Sequence, residues 1–370
     1  MARRGLGTFL LVAERPHPIA DDLLARLPGS PDIYPQKIDL VLESVLLVRF
    51  DEAAYRAASF LDDRILRSDM QGAWLPTDRV EAAARRVANP RSLHFIFHTG
   101  HVGSTLLSRL LDEAGNVLSL REPLPLRTLA DAHDVLGRPE SLLGDPQFAQ
   151  ALGLCMRLWR RGYPVTRSVV VKATSSAGRM AGALLAHDEE SRAVYMNLRA
   201  EPYLATLLAG QNSAADLRGH GPGRMRRLQA RIAVPLSPLH ALSPGELAAM
   251  SWLTESWAQD DALAHHPGRV IALDFGAFLA DVEAGMGRVL AHFALAHDAQ
   301  QLSALARSAV LTQYSKAPEF AYTPAARRQI LDASRRTHRE EIRKGMTWLD
   351  RVAQSDPAAA AVLQRIERRE

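Results

Sequence analysis

The sequence predicts an α/β protein: a parallel sheet flanked by helices, with a mixed N-terminal segment in front and a helical insertion inside. Three observations carry this. Short apolar runs of strand length recur between stretches of helical periodicity, the pattern of buried parallel strands joined by crossover helices. The first such run of the core, Leu93–Phe97, ends at a glycine-bearing turn that passes directly into an amphipathic helix. The composition is that of a globular chain, with 370 residues, 47% of them hydrophobic and 23% charged. That is enough to bury one large core or two smaller ones.

Taken in order, residues 1–90 read as a mixed segment packed on the core. A strand is expected within Val41–Phe50 and helices over Glu52–Leu66 and Arg79–Val87. The core, 91–320, opens with strand Leu93–Phe97 and continues with Val117–Leu120, Ser168–Lys172, Ala193–Leu198 and Arg269–Leu273. Between the last two lies a mainly helical insertion, 203–266, in which Gly219-His220-Gly221-Pro222-Gly223-Arg224 reads as a turn. Residues 321–370 form a C-terminal helical segment, broken at Asp356-Pro357. No internal repeat is present.

Charge and cysteine usage narrow the function classes. Lys and Arg total 45 against 41 Asp and Glu, a formal charge of +4. The cations are mostly arginine, interspersed with acids and without a polybasic tail, so no nucleic-acid partner is expected. Cys155 stands alone, which excludes an intrachain disulfide and a cysteine-rich zinc site. The opening MARRGLGTFLLVAERPHP has a basic start, but its apolar stretch ends at Glu14-Arg15-Pro16, too short for a secretory signal. No later run is long enough to span a bilayer. A cytoplasmic location is the expectation.

The most informative stretch is His98-Thr99-Gly100-His101-Val102-Gly103-Ser104-Thr105-Leu106-Leu107. Glycine permits tight turns and close ligand approach, and the N–H groups and dipole at the start of the following helix attract anions. The stretch is built like a phosphate cradle; the plain alternative is an ordinary strand-to-helix turn. The common nucleotide-hydrolase loop, G-x-x-x-x-G-K-[ST], needs a lysine before its hydroxyl residue. Here Ser104 follows Gly103 directly.

A Gly-Ser-Thr-Leu-Leu turn without that lysine resembles the 5′-phosphosulfate loop of the sulfotransferases, whose usual pattern is Pro or Gly, then Arg or Lys, then Ser-Gly-[ST]-[ST]-Leu. The glycine, both hydroxyls and the leucine pair match, while the basic residue has become His101 and the serine Val102. Later landmarks follow in the family's order. Arg121-Glu122-Pro123 resembles a second-strand segment, and Lys172-Ala173-Thr174-Ser175 a third-strand Lys-x-[ST]-[ST] element. Ser191-Arg192 through Arg199-Ala200-Glu201-Pro202 resembles the element that binds a 3′-phosphate, and Asp274-Phe275 begins the one after the fifth strand. The resemblance spans about 93–320, is nearest the bacterial and tyrosylprotein-type branches, and leaves the first 90 residues uncovered.

It implies a P-loop-like core and 3′-phosphoadenosine 5′-phosphosulfate as cofactor, with adenosine 3′,5′-bisphosphate as product and no metal. Gly100, Gly103, Ser104 and Thr105 would cradle the cofactor and Arg199 its 3′-phosphate, with Thr206 only approximately at the downstream hydroxyl position. Glu122 would be the catalytic base, with an N-cap or an ion partner of Arg121 as its structural alternative. His101 occupies the position of the cation that stabilises the leaving phosphate, or is a neutral turn residue. Lys172 and His98 are the further candidates toward substrate. Lys172 is otherwise a snorkelling lysine and His98 a structural histidine. Arg343-Lys344-Gly345 superficially matches a cofactor clamp, but it sits in a charged helical run. Arg224, Arg226, Arg227 and Arg231 read as a solvated helix face. The acceptor is left open among small molecules, carbohydrates and peptides, and the oligomeric state is not encoded. Two other classes stay in view: a Mg-ATP kinase of P-loop type, with Asp274 as magnesium carboxylate, and a non-catalytic nucleotide-binding relative. The missing Gly-Lys pair argues against the kinase.

Overall fold

The computed structural model describes residues 18–210, 213–317 and 319–368. The reading of the opening segment as too short for a signal lies outside these residues. The strands are β1 (Ile33–Asp39), β2 (Ser44–Arg49), β3 (Gly72–Pro76), β4 (Ser92–His98), β5 (Val117–Arg121), β6 (Ser168–Lys172), β7 (Ala193–Asn197) and β8 (Val270–Asp274). They form an antiparallel sheet of order β1-β2-β3 and a five-stranded sheet of order β5-β6-β4-β7-β8. The β5–β6 and β7–β8 pairs are parallel and in continuous register. Strands β5, β6 and β7 are buried at every position, as expected of a parallel sheet covered on both faces. The fold is α/β, and the chain leaves the central strand β4 at the glycine-bearing turn.

The chain divides into two compact units, each discontinuous in sequence. One comprises the described residues up to Phe95 with Ser108–Ala173 and Ala186–Ser191. Its core joins Leu23 and Leu27 to Val45 and Leu47 of β2, Leu75 of β3, and Leu154 and Leu158 of the helix Asp145–Trp159. Arg161, buried beside this core, donates to the carbonyls of Leu27, Ser30, Ile33 and Leu158. One cation thus satisfies four backbone carbonyl oxygens, and burial draws its pKa down to about 10.

Two features of this unit depart from the sequence reading. The expected strand is β2, but its partners were missed, because Pro35 interrupts β1 and β3 is short. Pro35 is tolerated because β1 is an edge strand whose register slips between Pro35 and Lys37. The helix expected over Glu52–Leu66 ends at Ala57, and only a short 3-10 turn, Asp63–Ile65, follows. The reason is tertiary: the buried Arg121 guanidinium takes the carbonyls of Tyr55 and Ala58 at 3.0 and 2.8 Å, closing the helix end where local periodicity continues.

The other unit comprises Ile96–Leu107, Thr174–Leu185 and the described residues from Arg192 onward. Its axis is the helix Pro244–His265, which a capping box between Ser243 and Glu246 opens. The helix Arg339–Ser355 crosses it at Gly245 and Gly345, where a Cβ on Gly345 would lie 2.5 Å from the Gly245 carbonyl oxygen. The expected turn Gly219–Arg224 is helical instead, within Ser213–Gln229 and with Pro222 inside it. Burial of Leu217 and Leu228, and of Arg224 against Glu255 at 3.0 Å, outweighs the glycines and the proline. The arginine cluster is a solvated face only in part: Arg226 and Arg231 are exposed, and Arg224 is buried. Arg224 and Arg227 share the buried Glu255 carboxylate, and Arg231 pairs with Asp261 at 2.5 Å. Among the described residues no helix is long and apolar enough to cross a membrane.

Candidate functional site

The loop is built from the strand outward. Phe95, Ile96 and Phe97 of β4 are fully buried, so the strand is rigid up to His98. Thr99 continues along β7, donating its amide to the Met196 carbonyl at 3.1 Å. The backbone then enters the left-handed region at Gly100 (φ 104°), His101 (φ 55°) and Gly103 (φ 74°), and the helix Ser104–Glu113 begins at once. Histidine is one of the few non-glycine side chains found there with some frequency. Val102 is fully buried, which anchors the loop in the core. Close approach explains Gly103, and the left-handed backbone explains Gly100, where a Cβ would make only ordinary contacts. A Cβ at Gly103 would lie 2.0 Å from the Phe275 ring, and one at Gly100 would meet Ser175 and the Tyr203 hydroxyl at 3.5 Å.

The Tyr203 hydroxyl donates to the Thr99 carbonyl at 3.1 Å and shares a 3.3 Å hydrogen bond with Ser251. His98 accepts the Gly100 amide on Nδ1 at 3.1 Å, which places the ring proton on Nε2. His98 therefore serves the loop's conformation. Ser104 and Thr105 open the helix, both buried. The Thr99 hydroxyl, fully buried at the loop's entry, has no hydrogen-bond partner among the described residues. An orphaned buried hydroxyl is costly in isolation, and at the entry of a glycine loop it fits a polar ligand.

Arg199 lies in the same unit, exposed at the head of the helix Ala200–Ala209. Thr206 does not fit its expected role, because its hydroxyl donates to the Pro202 carbonyl at 2.7 Å within the helix. Arg343-Lys344-Gly345 is no clamp either. Arg343 pairs with Glu340 and Lys344 with Glu341, one turn back along their own helix, while Gly345 serves the helix crossing. Asp274, the magnesium carboxylate of the kinase reading, caps the helix Phe275–Ala280 by accepting the Ala277 amide at 2.8 Å. A cavity of about 200 Å³ in this unit, lined by Arg227, Arg231, Trp257 and Asp261 among others, touches none of the loop residues. Arg227 and Arg231 there are already paired. Among the described residues no group of three or more His, Cys, Asp or Glu side chains is arranged to hold a metal ion.

The other unit holds Glu122 and Lys172. Arg121 and Glu122 close β5 and turn to different partners. Arg121 pairs with Asp112 and donates to the Ser108 hydroxyl at 3.0 Å, whereas Glu122 pairs with Lys172. The structural alternative of a Glu122–Arg121 pair is thereby replaced. Glu122 has φ 56°, a left-handed backbone in a residue that seldom adopts it, and its amide donates to the Lys172 carbonyl at 2.6 Å. Strain of this kind is found where surrounding structure over-determines a functional side chain. Lys172 does not snorkel: it is fully buried, with its ammonium 6.0 Å from the Phe60 ring centroid. Arg64 covers the same ring at 3.5 Å.

Sequence reasoning missed Tyr203, the orphaned hydroxyl of Thr99 and the packing of Ser175 and Phe275 against the loop glycines. Thr99, Ser175 and Phe275 each lay in a motif already singled out, but nothing local revealed their contacts.

No family model matches the sequence, and no curated protein matches it. Among solved structures the chain is similar to the sulfotransferase domain from the curacin biosynthetic pathway, with 13% identity over 63% of this chain and 84% of that one and a TM-score of 0.38. It is also similar to the sulfotransferase domain from the Synechococcus PCC 7002 olefin synthase, with 17% identity over 66% and 94% and a TM-score of 0.36. A third is the sulfotransferase STF9 from Mycobacterium avium, with 13% identity over 86% and 96% and a TM-score of 0.37. At this distance no residue role transfers from them.

Proposed function

We propose that the chain is a sulfotransferase that moves a sulfuryl group from 3′-phosphoadenosine 5′-phosphosulfate to a hydroxyl or amine acceptor. The observation that carries the reading is the loop: left-handed Gly100, His101 and Gly103 feeding a helix that opens on Ser104 and Thr105 with no lysine before them. When bound, the cofactor supplies an activated sulfuryl group on a phosphate leaving group. The orphaned Thr99 hydroxyl and the left-handed turn at Gly100 and Gly103 fit such a group.

Each residue's part follows from its local chemistry. The amides of Gly103–Thr105 and the two hydroxyls are donors suited to anionic oxygens, and positioned donors provide most of the catalysis in transfers of this type. His101 stands where a cation would meet the leaving phosphate, and Arg199 offers a bidentate contact to the 3′-phosphate. Glu122 accepts the acceptor's proton, with Lys172 orienting the carboxylate. A kinase reading has less support, because Asp274 is taken up in capping and the loop lacks its lysine.

Thermal shift tests the reading. Adenosine 3′,5′-bisphosphate without metal is expected to stabilise the folded chain by about 2.7 kcal/mol at a hundredfold excess over its Kd. Stabilisation by Mg-ATP alone would move the case to the kinase class. A second measurement localises the site. Ser104→Ala and Thr105→Ala are each expected to weaken the bisphosphate by about 1.5–3 kcal/mol, the usual loss for a hydrogen bond to a charged group. Unchanged affinity in both variants would reduce the loop to a turn.

A further inference from the structure

Phe275 follows β8 directly, and its ring is the surface against which Gly103 packs. On that ring lies Arg327, from the helix Pro324–Thr337, with its guanidinium carbon 4.9 Å from the centroid. The Nη2 of Arg327 is buried and has no hydrogen-bond partner among the described residues. The neighbouring carboxylates are engaged elsewhere: Asp274 caps its helix, and Glu201 and Asp332 hold Arg335. Burial draws the Arg327 pKa down. The guanidinium as a whole is half-buried and lies in the field of Asp274, so what remains unmet is one buried N–H donor, a group that is costly to leave without an acceptor. The guanidinium is chemically complete when a multiply charged oxyanion supplies the missing acceptor.

We infer that Arg327 is a ligand for a phosphate group of the nucleotide seated on the Gly100–Thr105 loop, presented to it by the Phe275 ring that also walls Gly103. The inference rests on the functional reading above and adds a residue that no local motif marks. Arg327-Arg328 sits in an ordinary charged helical run, so only the packing singles it out. Phe275 has two tasks in this arrangement. One part of its ring limits residue 103 to glycine, and its face holds the arginine in one orientation.

The test is Arg327→Met, which keeps length and contact with the ring but removes charge and donors. Calorimetric titration with adenosine 3′,5′-bisphosphate and with adenosine, and melting without ligand, give three readouts. Bisphosphate affinity is expected to fall about 10- to 100-fold, the range for losing a charge-assisted contact. Adenosine affinity should stay at the wild-type value, and the ligand-free melting temperature should hold, because methionine keeps the contact with the ring and removes a donor that has no acceptor. Arg327→Lys should fall between the two proteins in bisphosphate affinity, since a point charge replaces a fork. Wild-type bisphosphate affinity in Arg327→Met would overturn the inference while leaving the functional reading standing. An equal loss for adenosine, or a lower ligand-free melting temperature, would make Arg327 a structural strut and overturn it too. If the wild-type protein itself does not bind the bisphosphate, the reading of the loop falls and the inference with it.

Discussion

Glu122→Gln is expected to lower sulfuryl transfer by about 10²–10⁴-fold, the usual loss when a general base is removed. Bisphosphate affinity should be unchanged. Glutamine keeps the shape of the side chain and can still accept the Lys172 ammonium, but it cannot take up a proton. The complication is stability, because Lys172 is fully buried and Glu122 is its ion partner. Neutralising one member of a buried pair leaves the other uncompensated, at a cost of about 3–5 kcal/mol. The double variant Glu122→Gln/Lys172→Met separates the two effects. It should recover much of the lost melting temperature while remaining inactive. The assay needs an acceptor, found by screening for transfer of labelled sulfate from the donor. Wild-type turnover in the single variant would place the base elsewhere, with His101 the next carboxylate-independent candidate. Recovery of activity in the double variant would reduce the pair to a structural element.

The second large effect is Gly103→Ala. A left-handed backbone costs alanine about 1 kcal/mol relative to glycine. The new Cβ would also sit 2.0 Å from the Phe275 ring, an overpacking that costs about 1–3 kcal/mol. Together these predict a loss of roughly 2–4 kcal/mol in unfolding free energy by denaturant titration. Bisphosphate binding should fail as well, since the ring cannot retreat without moving both the loop and Arg327. Phe275→Leu in the Gly103→Ala background makes room for the methyl group. It should restore stability but leave ligand affinity low, because the platform under Arg327 is lost. A stable Gly103→Ala protein with normal affinity would show that the loop tolerates a side chain and that the close approach has no functional weight.

The architecture was legible wherever a signal was local. The strands β4 to β8 are five short apolar runs, and burial on both faces makes such runs contiguous in sequence. The strand–turn–helix at Gly100–Thr105 was legible for the same reason: glycines, hydroxyls and helical periodicity all lie within one stretch. The β1–β2–β3 sheet was not, because Pro35 and the brevity of β3 erase the alternation that marks a strand. The Gly219–Arg224 segment misled in the opposite direction. Its glycines and proline are turn signals, yet the buried Arg224–Glu255 pair keeps it helical.

The candidate site divides along the same line. The sequence by itself determined the α/β class, the position of the glycine loop, the hydroxyl pair that opens the helix after it, and the absence of a lysine there. These follow from backbone permissiveness and side-chain periodicity, which act over a few residues. Only the tertiary structure decided that Glu122 pairs with Lys172 rather than Arg121, that Thr206 bonds its own helix, that Arg343-Lys344 is held by Glu340 and Glu341, and that Arg327 lies on the ring that walls Gly103. Each of those outcomes sets the partner of a charged or polar group. Glu122 and Lys172 are 50 positions apart, a distance over which sequence pattern carries no information, whereas Thr206, Arg343 and Lys344 take partners one turn away on their own helices, where several acceptors compete and only the folded geometry selects one.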